Sequence, residues 1–136
     1  MPTPKPKRRS PEHDMQVALF KWAALAGNLD PRIRLLFAVP NGGHRDPRTA
    51  ARLRAEGVKP GVPDVFLPVA AGGYHGLWLE LKAGKNNPSP EQKAWIAQLN
   101  DQGYYVGLVY DNWQQASLIV ESYLKGVLKR SFTNTR

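Results

Sequence analysis

The six residues Leu77-Trp78-Leu79-Glu80-Leu81-Lys82 constrain the fold of this chain more than any other segment. Leucine at every second position is the pattern of a β-strand, in which successive side chains point to opposite faces. The three leucines therefore share one face of a sheet, and Trp78, Glu80 and Lys82 share the other. At about 3.3 Å of rise per residue, Glu80 and Lys82 stand about 7 Å apart. A strand inside a helix-covered sheet is normally apolar on both faces. A carboxylate and an amine in such a strand conflict with that rule, and local conflicts of this kind mark functional sites.

The remaining segments supply the sheet and its cover. Ser10-Pro11-Glu12 reads as a helix start, with Ser as N-cap, Pro at the first helical position and an acid in the first turn. Met15, Ala18, Leu19, Trp22 and Leu25 follow at helical spacing, and Gly27 can end the helix. The pattern then predicts a strand over Ile33–Pro40, a turn at Asn41-Gly42-Gly43, and a short basic helix over Pro47–Glu56 closed by Gly57. Lys59-Pro60-Gly61-Val62-Pro63 is a rigid connection into a strand over Val65–Val69. After the Leu77–Lys82 strand, Ser89-Pro90-Glu91-Gln92 opens a helix with a capping-box pattern, ending near Gly103. Tyr105–Tyr110 is a fourth strand, and Asn112 to about Lys129 a final helix. The expected fold is α/β, a mixed four-stranded sheet flanked by helices.

A length of 136 residues suits one domain, with 42% hydrophobic and 22% charged residues. Residues 1–9, with alternating Pro and cations, read as a flexible basic arm, residues 10–130 as a single domain, and 131–136 as a frayed tail. The absence of cysteine excludes disulfides, thiolate zinc sites and thiol nucleophiles. The longest apolar runs, Leu35–Val39 and Val65–Ala71, fall far short of the roughly 20 residues of a membrane span. No apolar stretch follows the basic start, so a secretory signal is not expected and the cytoplasm is the expected location. A net charge of +8 and a pI near 10.0 favour a polyanionic partner. A solvated basic surface is the alternative reading.

Asp64 supplies a second acid at the start of the second strand. Adjacent antiparallel strands lie about 4.8 Å apart, which lets Asp64 approach Glu80. Two carboxylates in apolar surroundings repel unless a cation or a proton intervenes. A hard divalent ion with oxygen ligands, Mg2+ above all, suits such a pair. Lys82 beside it can orient a water for attack on phosphorus. A buried ion-pair cluster is the purely structural alternative, and a poor stabiliser.

Pro63-Asp64 followed by Glu80-Leu81-Lys82 resembles the PD-(D/E)xK nuclease superfamily. The wider series is more specific: Val39-Pro40-Asn41-Gly42-Gly43, Gly57-Val58-Lys59-Pro60-Gly61-Val62-Pro63-Asp64, Glu80-Leu81-Lys82, then Ser89-Pro90-Glu91-Gln92. In this order it resembles the VRR-NUC (virus-type replication-repair nuclease) family, from about Glu12 to Gln115. The resemblance implies a restriction-endonuclease-like core. It also implies an Mg2+-dependent endonuclease acting on DNA, with Mn2+ able to substitute. The shortness of the chain resembles stand-alone phage and bacterial members, which implies a homodimer cutting four-way junctions. The metal ligands so implied are Asp64, Glu80 and the Leu81 carbonyl, with Lys82, Glu12 and Gln92 completing the catalytic set.

Glu12 also earns attention independently, because Glu12, Met15, Leu19 and Trp22 fall on one helical stripe directed at the sheet. It serves equally as a first-turn acid complementing the helix dipole. The capping box likewise accounts for Gln92 without any catalytic role. Gln16 lies one turn beyond Glu12. Arg45, Arg48, Arg52, Arg54 and Lys59 can hold phosphates or form a solvated helix face. His13, His44 and His75 read as surface residues, and the four tryptophans mostly as core. The final helix carries surplus apolar side chains (Leu118, Ile119, Leu124, Val127 and Leu128), enough for an isologous contact between two copies.

Overall fold

The computed structural model describes Thr3, residues 10–40 and residues 46–128. The basic arm at 1–9 apart from Thr3, the Asn41-Gly42-Gly43 turn with His44 and Arg45, Lys129 and the C-terminal tail lie outside the described residues. The elements run α1 (Pro11–Ala26), a 3-10 helix (Pro31–Leu35), β1 (Phe37–Ala38), α2 (Pro47–Ala55), β2 (Val65–Leu67), β3 (Leu77–Lys82), α3 (Pro90–Asp101), β4 (Tyr105–Tyr110) and α4 (Trp113–Leu124). The strands form one mixed sheet in the order β1-β2-β3-β4. The first two pairings are antiparallel and β3 runs parallel to β4, joined through α3.

The leucine face of β3 is the centre of the core. Leu77, Leu79 and Leu81 are buried with Val65, Leu67 and Val109 of the sheet, Met15, Leu19 and Ala23 of α1, and Ala116, Val120, Tyr123 and Leu124 of α4. The opposite face carries a smaller cluster, in which Ile96 and Leu99 of α3 cover Val106, with Trp78, Trp95 and Tyr104 packed around them. Two helices thus seal one side of the sheet and one helix partly covers the other. Among the described residues no helix is long and apolar enough to cross a membrane.

Several elements are shorter than the sequence pattern predicts. The segment expected as a strand from Ile33 begins as a 3-10 helix, because Asp30 caps it by accepting from the Arg32 amide and Pro31 occupies its first position. Only Phe37 and Ala38 pair with β2. β2 stops at Leu67 rather than Val69: Pro68 has no amide to donate, and the Val69 amide turns back to the Leu67 carbonyl. α4 stops at Leu124, because Gly126 takes a left-handed conformation (φ 71°) and its amide closes onto the Tyr123 carbonyl. Leu25 of α1 is 73% exposed, and Ala23 lies on the core line in its place. All four tryptophans are half-buried at the margins of the core instead of inside it.

Candidate active site

Position in the sheet brings the two predicted acids together. Val65 pairs with Leu79, so Asp64 and Glu80 are next in register and project from the face opposite the leucines. Asp64 Oδ2 accepts a 2.7 Å hydrogen bond from the Leu81 amide, which ties the start of β2 to the middle of β3. Glu80 is only 2% exposed. One of its oxygens, Oε1, accepts from the Gln92 side-chain amide at 3.0 Å. The other, Oε2, is buried without a hydrogen-bond partner.

Gln92 holds two places at once. Its Oε1 accepts from the Ser89 amide at 2.8 Å while the Ser89 hydroxyl accepts from the Gln92 amide, the reciprocal capping box of α3. Its remaining donor reaches Glu80. The same side chain therefore caps α3 and holds the Glu80 carboxylate.

Glu12 also reaches the sheet, as its stripe on α1 predicts. Its Oε1 accepts from the Ala83 amide at 3.3 Å, just past the end of β3. Lys82 is half-exposed on the face of Glu80. The ion pairs among the described residues are Arg32–Asp30 and Arg52–Glu56, so no acid locks Lys82 within 4 Å. The Lys82 charge nonetheless acts on both acids, lowering each carboxyl in part.

The electrostatics follow from burial. Desolvation pushes the Glu80 carboxyl up to about 9, the Asp64 charge adds to the rise, and Lys82 offsets part of it. Burial raises Asp64 as well, against the stabilising hydrogen bond from the Leu81 amide. The negative charge of Glu12 pushes both in the same direction. Burial and mutual repulsion thus favour the protonated form of each carboxyl.

This donor set fits a hard cation. Two adjacent carboxylates, one with a buried oxygen lacking a partner, need a positive charge to ionise together. Among the described residues no group of three or more His, Cys, Asp or Glu side chains is assembled for a metal. Mg2+ does not need one, since it keeps several waters and is commonly bound through one or two carboxylates plus substrate phosphates.

One residue of the site has a signal in sequence only as a turn. Gly61 adopts φ +90°, and a β-carbon there would lie 2.6 Å from the Glu91 carbonyl carbon and 2.8 Å from the Gln92 amide nitrogen. Its bare backbone lets the segment leading to Asp64 pack against the first turn of α3, where Gln92 holds Glu80. Of the other candidates, Gln16 is half-buried, and His13 and His75 are exposed, as expected. Arg48, Arg52 and Arg54 are exposed on α2, which buries none of its residues.

Comparison with known proteins decides the family. The VRR-NUC domain profile matches residues 12–113. The chain belongs to the VRR-NUC family. A solved structure described as a VRR_NUC domain protein superposes with a TM-score of 0.71 at 25% identity, covering 88% of this chain and 92% of that one. No curated protein matches. Family membership makes this VRR-NUC chain a nuclease-type domain that acts on DNA. The matched span includes Glu12, Asp64, Glu80, Lys82 and Gln92.

Proposed function

We propose that the protein is an Mg2+-dependent endonuclease that hydrolyses DNA phosphodiesters. The observation that carries this is the buried, partnerless Glu80 Oε2 beside Asp64 on a strand that also presents an unpaired lysine. Asp64, Glu80 and the Leu81 carbonyl would hold the ion, which when bound supplies positive charge to the phosphate oxygens. Gln92 fixes the Glu80 carboxylate through its 3.0 Å bond. The Lys82 ammonium donates to the attacking water and to the phosphate, holding both in place. Glu12, anchored on the Ala83 amide, adds negative charge at the rim. Basic residues of the body and of the arm would bind flanking phosphates.

Four-way junctions are the proposed substrate, cut by a homodimer whose two identical sites meet paired strands. Leu118 and Val127 are 58% and 61% exposed, while Leu124 is buried and Ile119 and Leu128 pack against the core. The surface available for self-association is therefore narrower than the sequence pattern predicts. The alternative with the same chemistry is a flap or duplex nuclease. A non-catalytic DNA-binding module is disfavoured, because carboxylates facing phosphate weaken binding unless a cation joins them.

Incubation with labelled duplex, flap and four-way junction DNA, with and without Mg2+, tests the reading. Cleavage that requires Mg2+ and disappears in Asp64→Ala supports it, and metal-independent or absent cleavage overturns it. Light scattering in parallel reports the mass. A monomer that cuts linear duplex as readily as junctions would remove the dimer and junction proposals and leave the chemistry standing.

A further inference from the structure

A cavity of about 300 Å³ lies beside the candidate active site, between β4 and α3. One wall is Leu108 and Tyr110 of β4. These residues pair in register with Glu80 and Lys82, so the wall adjoins the acid and the lysine on the same face of the sheet. Ile96 and Ala97 of α3 line it from the helix, with Lys93, the neighbour of Gln92, one turn earlier and Asn87 and Pro88 from the preceding loop. β4 is the outer strand of the sheet, so the cavity is reached from the sheet's edge.

We propose that this cavity receives one unstacked nucleobase next to the phosphate being cut, a role that rests on the nuclease reading above. Flat apolar walls of Leu108, Ile96 and Ala97, with one aromatic ring, suit the faces of a planar heterocycle. Most of the lining is apolar, as the face of a base requires, and the Asn87, Lys93 and Tyr110 side chains border it. Lys93 complements the charge of the adjoining phosphate. The volume is at the low end of ligand pockets and is sufficient for a single base. Position decides the occupant: nucleic acid with a phosphate at Glu80 and Lys82 has its neighbouring nucleotide within one strand spacing of the cavity. Unpaired or strained nucleotides at a branch cost least to unstack, so the cavity would favour branched over continuous duplex DNA.

Ala97 is exposed on α3, so Ala97→Phe places a ring in the cavity without disturbing the core, and a thermal melt checks that it folds. The cut is first mapped on branched DNA with the wild-type protein. 2-Aminopurine, and separately an abasic residue, is then placed on either side of it. Wild-type binding in Ca2+ should raise the 2-aminopurine emission at one of the two positions, and Ala97→Phe should abolish the rise. The variant should cut the intact strand about tenfold more slowly, yet match wild type when that position is abasic. Equal emission and equal cleavage by the two proteins would overturn the cavity assignment alone. A loss in Ala97→Phe that is the same on intact and abasic DNA would overturn it too. No cleavage by wild type with Mg2+ would instead overturn the nuclease reading and the assignment with it.

Discussion

The two faces of β3 are built to opposite specifications. On one, Leu77, Leu79 and Leu81 are sealed beneath α1 and α4. On the other, Glu80 sits among Asp64, Gln92 and Lys82, and both Glu80 Oε2 and the neighbouring Trp78 Nε1 are buried without partners. Burial is nearly equal: Leu79 is 0% and Glu80 2% exposed. What differs is whether burial satisfies the group. The leucine face gains free energy by excluding water, whereas the acid face gives up hydration that only a cation or a proton can replace. One face holds the fold, and the other places two carboxylates where a cation or a proton must balance them.

That division predicts mutations whose effects separate. Glu80→Gln should lower cleavage by about a thousandfold or more while leaving the melting temperature equal or higher, because it removes a buried charge requirement and keeps the shape. Comparing calorimetry with a cleavage assay breaks the comparison if the variant unfolds. Leu79→Ala, one residue away on the other face, should cost about 3 kcal/mol of stability through the cavity it leaves. Denaturant titration measures that loss, and folded Leu79→Ala protein should still cut DNA.

Gln92→Ala sharpens the picture at the boundary between the faces. It removes half of a helix cap and the hydrogen bond to Glu80, so stability should fall by about 1 kcal/mol and cleavage by roughly tenfold or more. Gln92→Glu can keep the cap but cannot donate to Glu80. Activity that recovers in this variant would show that the cap alone mattered.

A further effect is on pH. The Glu80 carboxyl is raised in the folded protein from its ordinary 4.5 to about 9, so the folded state holds the proton more tightly than the unfolded chain. The resulting stability is fully present below about pH 4.5 and is lost as pH rises toward 9. Metal-free protein should therefore melt several degrees lower at pH 9 than at pH 6. Added Mg2+ should flatten the difference, because it stabilises the ionised pair. A Glu80→Gln variant should lack this part of the pH dependence, which melting curves with and without the chelator EDTA would report.

Much of this was legible along the chain. The caps of α1 and α3, the ends of β3 and β4, and the opposed faces of β3 all follow from local rules, and the acids sit where alternation puts them. The structure departs from the sequence pattern where one local signal overrides another. Asp30-Pro31 started a 3-10 helix inside an apolar run, Pro68 cut β2 short, and Gly126 ended α4 early. In each case a proline or glycine constraint on the backbone outweighed the attraction of apolar residues for a longer element.

From the order of its residues alone, the chain determined that a strand would carry leucines on one side and an acid and a lysine on the other. That follows from a fixed two-residue period and needs no partner element. Tertiary structure alone decided that Gln92 would spend its last donor on Glu80, that Gly61 would admit α3 so closely, and that one carboxylate oxygen would be buried with no partner. These depend on docking a helix onto a sheet across 12 residues between Glu80 and Gln92 and 71 between Glu12 and Ala83. No local periodicity encodes such distances; they are set by how the packed surfaces fit.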